Sequence, residues 1–352
     1  MAPRIAMVGA GAVGGYAGAG LAAAGHDVTL IDPWPAHVEA IRAHGMELYG
    51  MTEAERRTVP VRAIHLTEVQ RLARERPIDI AFIAVKSYDT EWAASLILPY
   101  LAANGVCVSM QNCINEERLA GVVGWGRTLG CIVTGGIGVD LFEPGHISRN
   151  YAKNPDITNF YIGEPHGRIT ARAKAIAALL NDVDTAHATD DLWGERWTKL
   201  CVNGMRNGVS AATGMSGNER DADPEVRRFC IRLGAESVRI GQRLGFRLGP
   251  IGRLDPERLA RAGEGEADAL AEIEALMVAG TNSSARAATQ RPSMAQDMAK
   301  GRRTEIEFMN GFIAEKGREA GIPAPAHAKL TRLVQAVERG EKPAARETLL
   351  AD

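Results

Sequence analysis

The sequence predicts an α/β fold: a doubly wound parallel sheet in the N-terminal half, followed by an all-helical C-terminal domain. Three observations predict it. A strand, glycine turn, helix and second strand open the chain over residues 5–32; short apolar runs then alternate with helical patterns as far as residue 134; and beyond residue 190 the apolar periodicity is helical to the end. With 352 residues the chain exceeds the usual size of one domain.

The opening stretch, IAMVGAGAVGGYAGAGLAAAGHDVTLID, organises the rest. Residues 5–8 are a short apolar run of the kind buried on both faces of a sheet. Gly9, Gly11 and Gly14 follow at GxGxxG spacing, so the turn Gly9, Ala10, Gly11, Ala12, Val13 and Gly14 leads from strand into helix. Gly9 permits the tight turn, Gly11 leaves its backbone bare for a pyrophosphate, and Gly14 lets the helix lie against the sheet. The helix N-terminus attracts anions through unpaired N–H groups and the dipole. Residues 28–31 form a second apolar strand that ends at Asp32, an acid placed to accept hydrogen bonds from ribose hydroxyls and to repel a 2'-phosphate. An Ala/Gly-rich packing helix with no ligand would leave Asp32 unexplained. The stretch therefore predicts a Rossmann dinucleotide site with NAD as cofactor and NADP as the alternative, for which Arg4 or a downstream basic side chain would have to reach the phosphate.

Along the chain, residues 35–44 read as a helix, 61–65 as a strand and 78–85 (IDIAFIAV) as the clearest buried strand. A helix (89–101), strand (105–110), short helix (115–122) and strand (128–134) follow. Residues 135–163 change character, and GIGVD, GHISRN and NFYIG read as short antiparallel strands extending the sheet's edge. After a helix at 169–180 the pattern turns helical, with Asp190 and Asp191 ahead of the first long helix. The expected domains are 1–190, binding dinucleotide, and 191–352, helical, for substrate binding and dimerisation.

A net charge of -2 gives no electrostatic argument for nucleic acid or an anionic membrane. The five cysteines lack metal-ligand spacing and sit mostly in apolar runs, as reduced core thiols do. No signal peptide precedes the first strand and no apolar run approaches the roughly 20 residues of a membrane span, so a cytoplasmic protein with a small-molecule partner is expected. Only eight of the 41 basic residues are lysines, so a lysine among apolar residues carries information.

Lys86 follows the strand at 78–85, and Asn112 follows the strand at 105–110; ligands of open parallel sheets bind outside such carboxyl ends. In WGERWTKLCVNGMRNGVSAATG, Lys199, Asn203 and Asn207 recur at i, i+4 and i+8, within about 80° on one helix face. That polar stripe lies among Trp197, Leu200, Val202 and Val209, which predicts that something polar docks on it. Arg206, seven residues beyond Lys199, returns to within about 20° of the same direction, which makes it a candidate for binding a substrate carboxylate. Further on, Pro292 suits a helix start at Ser293. On one straight helix Glu305 would lie ~18 Å from Ser293, so either the helix breaks near Gly301 or the two contact different parts of the ligands.

These motifs, VGAGAVGG, VKSYDT, QNCINEERL, RWTKLCVN with Asn207, and SMAQDMAKGRRTEIEFMNGF, give the chain a nearly end-to-end resemblance to the ketopantoate reductase (2-dehydropantoate 2-reductase) family. The resemblance implies an N-terminal Rossmann domain, a helical C-terminal domain that usually mediates dimerisation, and an active site in the cleft between them. It matches Lys199 to the general acid, and Asn203, Asn207 and Ser293 to positions that hold the substrate. It matches Lys86, Asn112 and Gly136 to positions near the nicotinamide, and Glu305 to an acid touching cofactor ribose and substrate. Four departures stand out. Asp32 and Pro33 replace the neutral-then-arginine pattern common in NADP-using members, Cys113 replaces the glycine of QNG, Gly208 stands where proline commonly follows the second asparagine, and residues 245–290 look longer than in compact members.

The function expected is hydride transfer between a nicotinamide cofactor and a small branched 2-oxo or 2-hydroxy acid, with ketopantoate and pantoate as first candidates and a homodimer as the assembly. The alternatives are an NAD-linked dehydrogenase of a different, larger or more acidic hydroxy acid in a degradative pathway, a non-catalytic NAD-sensing Rossmann protein, and a purely structural dimer module.

Overall fold

A computed structural model describes residues 2–281 and 292–351, so the last residues of the 245–290 segment lie outside the described residues. The chain forms two compact units, Met1–Leu192 and Trp193–Asp352.

In the first unit the strands are β1 (Arg4–Val8), β2 (Asp27–Asp32), β3 (Met46–Tyr49), β4 (Arg57–Val59), β5 (Arg62–His65), β6 (Ile78–Ile83), β7 (Leu101–Ser109), β8 (Thr128–Val133), β9 (Val139–Glu143), β10 (His146–Arg149), β11 (Phe160–Gly163) and β12 (Ala186–Thr189). Its helices are α1 (Ala12–Ala23), α2 (Pro35–His44), α3 (Thr90–Ile97), α4 (Glu116–Val123) and α5 (Ala171–Asn181). Eight strands form the main sheet in the order β12-β11-β8-β7-β6-β1-β2-β5. The run from β8 to β5 is parallel, and β11 enters antiparallel to β8. The chain winds outward from β1 through β2 to β5, then crosses to β6 on the other side of β1. That reversal is the switch point at which doubly wound sheets bind ligands.

Alternation along the strands divides the core. Ile5, Met7, Leu30 and Phe82 pack on one face of the sheet with residues of α1 and α5. Ala6, Val8, Ile31 and Ile83 pack on the other with residues of α3 and α4. Each such fully buried aliphatic or aromatic side chain contributes about 1.5–3 kcal/mol.

Residues 135–163 do not simply extend the sheet's edge. Only β11 joins the main sheet; β9 and β10 form a hairpin in a second sheet, ordered β4-β3-β10-β9. The reason lies in α1, whose residues from Gly14 to Leu21 are all buried, as expected of a helix that is apolar all round. The main sheet covers one side of α1, where a Cβ at Gly18 would stand 2.5 Å from Leu30 Cδ2. The small sheet covers another, where a Cβ at Gly15 would stand 2.5 Å from Ile147 Cδ1. Val183 closes on Gly20, leaving 2.7 Å to the same hypothetical atom. Small residues are what let both sheets approach.

The second unit is helical among its described residues: α6 (Leu192–Gly204), α7 (Asn207–Thr213), α8 (Gly217–Ala222), α9 (Pro224–Arg243), α10 (Pro256–Gly263), α11 (Ala267–Thr281), α12 (Ser293–Ala299), a π turn (Glu307–Gly311), α13 (Phe312–Ala320), α14 (Pro325–Glu338) and α15 (Arg346–Leu350). The long α9 starts at Asp223, whose carboxylate accepts from Glu225 N and Val226 N at 3.0 Å each, with Pro224 in the first turn. Trp197 of α6 is fully buried and donates its indole N–H to Ser237 O of α9 at 2.9 Å. All five cysteines are buried thiols, and burial pushes Cys107 and Cys230 up to about 12. No helix among the described residues is long and apolar enough to cross a membrane.

Candidate active site

The glycine turn leaves β1 where β2 and β6 flank it. Gly9 has φ +96°, and a Cβ there would lie 2.8–2.9 Å from backbone atoms of Ala84 and Val85, so only glycine fits. A Cβ on Gly14 would strike Gly9 O, which holds helix and turn in contact. Gly11 differs: a Cβ there would meet nothing within 4 Å. Space therefore stands open at the N-terminus of α1, next to the first-turn N–H groups of Ala12 and Val13 that no helix can satisfy internally. A pyrophosphate approaching the turn would need that space.

Asp32, at the end of β2, accepts from Ala10 N at 2.8 Å through one carboxylate oxygen and from Trp34 N at 2.9 Å through the other. Each oxygen keeps a lone pair, enough for two ribose hydroxyls. Arg4 takes no part in this. It is buried at the opposite end of β1, where its guanidinium bonds Glu75 and the Arg76 carbonyl, and a five-residue strand separates it from the turn by ~13 Å or more.

The loops after β6 and β7 bring Lys86 and Asn112 to neighbouring strand ends. Gln111 Nε2 donates to Val85 O at 3.0 Å and to Thr90 Oγ1 at 2.9 Å. Asn115 Nδ2 donates to Asn112 O at 2.7 Å, and Arg118 to Ser87 O at 2.6 Å. Sequence reasoning missed these three braces; only their place beside QNC hinted at them. Cys113 has φ +64° and is the one described non-glycine residue with positive φ. Cys113 thus occupies a left-handed backbone conformation that glycine adopts most easily.

Gly136 lies between β8 and β9, in a segment held by a buried cluster. Arg149 pairs with Asp184 and donates to Tyr16 Oη at 2.6 Å, and Asn159 Nδ2 donates to Asp184 Oδ1 at 2.9 Å. A Cβ on Gly136 would collide with Asn159 Oδ1. The arginine holds the Asp184 carboxyl below the usual range against the opposing effect of burial.

In the second unit the i, i+4, i+8 stripe does not run along one helix. Lys199 and Asn203 lie on α6, which ends at Gly204; Asn207 opens α7. Arg206 stands between them in non-helical backbone, φ -127° and ψ -48°. The helical return that aligned Arg206 with Lys199 is thereby lost, and its guanidinium nitrogens lie 3.8 Å from where a Cβ on Gly252 would be. The break has a tertiary cause. Asn310 Nδ2 donates to Gly204 O at 2.8 Å, supplying the bond that a continuing helix would have made. Gly208 faces inward, where a Cβ would stand 2.9 Å from Ile306 Cδ1 and Leu330 Cδ2.

Lys199 is half-buried, and burial first, then the buried Arg196 one turn earlier, lowers it to about 8. Ser293 is the first residue of α12, and the helix breaks at Gly301 (φ +62°) before Glu305, so the ~18 Å separation of a straight helix does not apply. Glu305 is buried, 3% exposed, just ahead of the π turn.

A glycine turn at a switch point and an acid ending the second strand give the first unit the form of a dinucleotide-binding domain. Residues 5–164 match the family described as ketopantoate reductase PanE/ApbA, and residues 191–338 match its C-terminal family. The 2-dehydropantoate 2-reductase of Archaeoglobus fulgidus is 30% identical over 339 residues, covering 96% of this chain and 98% of that protein. The enzyme of the same name from Mesorhizobium japonicum is 30% identical over 362 residues, covering 96% and 99%. A PanE/ApbA family ketopantoate reductase from Ralstonia eutropha superposes with a TM-score of 0.76 at 27% identity, covering 96% of this chain and 99% of that one. The fold is shared with D-mandelate dehydrogenase, solved with NADH and anilino(oxo)acetate, at a TM-score of 0.77, 23% identity and coverage of 96% and 98%. The chain belongs to the ketopantoate reductase family, and it is an NAD(P)-linked oxidoreductase acting on the CH–OH group of small hydroxy acids.

Proposed function

We propose that this enzyme interconverts a small branched 2-oxo acid and its 2-hydroxy acid, ketopantoate and pantoate first, and that its cofactor is NAD(H). The observation that carries the chemistry is Lys199, lowered to about 8 on α6. The nicotinamide supplies or accepts the hydride when the dinucleotide is bound. As the carbonyl carbon is reduced, charge builds on its oxygen, and Lys199 Nζ donates a hydrogen bond and then its proton to that oxygen. An ordinary lysine, near 10.4, gives up its proton too reluctantly at neutral pH; one near 8 exchanges it readily.

Asn203 and Asn207 hold the substrate by hydrogen bonds, Ser293 binds its carboxylate, and Glu305 contacts both substrate and cofactor ribose. Residues 9–14 and Asp32 hold the dinucleotide, with Lys86, Asn112 and Gly136 on the nicotinamide side. The resemblance of the surrounding motifs to those of the family supports these roles. Asp32 supports NAD over NADP, since a 2'-phosphate would face a carboxylate. The same residue favours a second reading, an NAD-linked dehydrogenase of another hydroxy acid. A homodimer belongs to the proposal as well: α11 exposes Leu276 and Val278, at 45% and 37%, apolar surface that a second copy would cover. Turnover of a panel of 2-oxo and 2-hydroxy acids with NAD(H) and NADP(H) tests the chemistry, and sedimentation tests the assembly. Absence of turnover with every member would defeat the first proposal.

A further inference from the structure

Ala10, in the middle of the phosphate turn, is held through both of its backbone polar groups by side chains remote in sequence. Its N–H donates to Asp32, and its carbonyl oxygen lies 2.9 Å from His37 Nε2. His37, on α2, is completely buried. Its second nitrogen is taken too: Gly145 N donates to His37 Nδ1 at 2.9 Å. A backbone N–H can only donate and a carbonyl can only accept, so the tautomer is forced: Nε2 carries the proton and Nδ1 is bare. Gly145 is the turn of the β9–β10 hairpin, with φ +78°, and its own carbonyl accepts from Glu47 N of β3 at 2.8 Å. The imidazole also stacks on Trp34, centroids 5.5 Å apart and planes 17° apart, and Trp34 N is the second donor to Asp32.

We infer that His37 is a positioning residue for the dinucleotide: it fixes the orientation of the Ala10–Gly11 peptide and ties the phosphate turn to the second sheet. The physical reason is the lack of tolerance in that turn. The Ala10 carbonyl shares its peptide plane with the N–H of Gly11, and rotating that plane would turn the carbonyl toward the space a phosphate must enter and the Gly11 N–H away from it. With the carbonyl bonded to His37, that oxygen is directed into the protein and the space beside Gly11 keeps its donors. His37 therefore acts on cofactor affinity through the main chain, without touching the ligand. Its action falls on the adenosine diphosphate half, because Ala10 and Asp32 are the residues proposed to hold that half. This inference rests on the dinucleotide site and is independent of which acid is the substrate.

The test is direct binding to the full chain, titrated with NADH and with ADP-ribose, alongside steady-state kinetics. His37→Phe keeps the aromatic stack on Trp34 and removes both hydrogen bonds. It should raise Kd for both ligands by tenfold or more, with KM for NADH rising in step and kcat changing less than threefold. His37→Gln, whose amide offers one donor and one acceptor, should recover affinity to within threefold of the parent. A folded His37→Phe protein that binds both ligands within threefold of the parent would overturn the proposal, as would a Gln variant no better than Phe. If the Phe variant does not fold, nitrogen NMR of the parent decides. An Nε2–H tautomer with His37 signals that shift on adding ADP-ribose is expected, and an Nδ1–H tautomer or unmoved signals would overturn it.

Discussion

Asn310 Nδ2 stands 2.8 Å from the carbonyl oxygen of Gly204, and the same amide lies 3.0 Å from His327 Nδ1. One buried side chain, over a hundred residues away in sequence, thus ends the helix that carries Lys199 and fixes an imidazole. Replacing Asn310 with alanine would strand a buried carbonyl and a buried ring nitrogen, at about 1–3 kcal/mol each. Asn310→Ala should lose about 2–4 kcal/mol in urea unfolding, and an unchanged midpoint would contradict the capping role.

His327 is buried, with Nε2 donating to Leu233 O at 2.9 Å, and burial lowers it to about 4. Between about 4 and the unfolded value near 6.5, the unfolded chain binds a proton that the native one does not. Stability should therefore be intact above pH ~6.5 and fall as the pH drops toward 4, by about 3 kcal/mol from this group. His327→Gln should flatten that limb of a pH series of denaturation curves; an equally steep limb would assign the loss to other groups.

Lys199→Ala should lower kcat by roughly 100-fold or more, with cofactor affinity little changed. Arginine should not rescue it, since a guanidinium does not release its proton. The rate of carbonyl reduction should decline as pH rises through about 8, where Lys199 loses the proton it must donate, and alcohol oxidation should show the opposite trend. Near-full activity in the alanine variant would remove the mechanism.

The proposed preference for NAD(H) rests on Asp32. Measured kcat/KM should favour NADH over NADPH by about tenfold or more, equivalent to ~1.4 kcal/mol, and Asp32→Ala should narrow the ratio by weakening NADH. A tenfold preference for NADPH in the parent would overturn this expectation.

Cys113 offers a conformational test. Alanine normally exceeds glycine in stability, but at φ +64° the order should reverse: Cys113→Gly should be more stable than Cys113→Ala by about 1 kcal/mol, because only alanine retains the left-handed strain. Thermal unfolding of the two variants, side by side, reads the difference.

The glycine turn and the strands around it were legible because local backbone geometry demands those residues: nothing but glycine survives at Gly9, and buried parallel strands need apolar runs such as 80–83. The second sheet was not legible. β3 and β4 are four and three residues long, and β10, which joins them through β3, lies almost a hundred residues beyond it, so no local pattern announces the pairing. Nor was the break after Gly204. Lys199, Asn203 and Asn207 keep a spacing of four whether the helix runs on or is cut, and the cut is made by Asn310, whose sequence neighbours say nothing of Gly204. His37 escaped notice for a similar reason, since a lone histidine on a short helix reveals neither of its hydrogen-bond partners.

Helix α1 contains Gly14, Gly15, Gly18 and Gly20, and four glycines forfeit about 4 kcal/mol of helix propensity relative to alanine. Alone in water it has almost no helicity; it exists because two sheets and Val183 close on it. During biosynthesis Ile147 and Val183, which complete its enclosure, leave the ribosome more than a hundred residues after this segment. At about 5–20 residues per second, the nucleotide-binding end must wait roughly 10–30 s, unshaped, for the chain that gives it form.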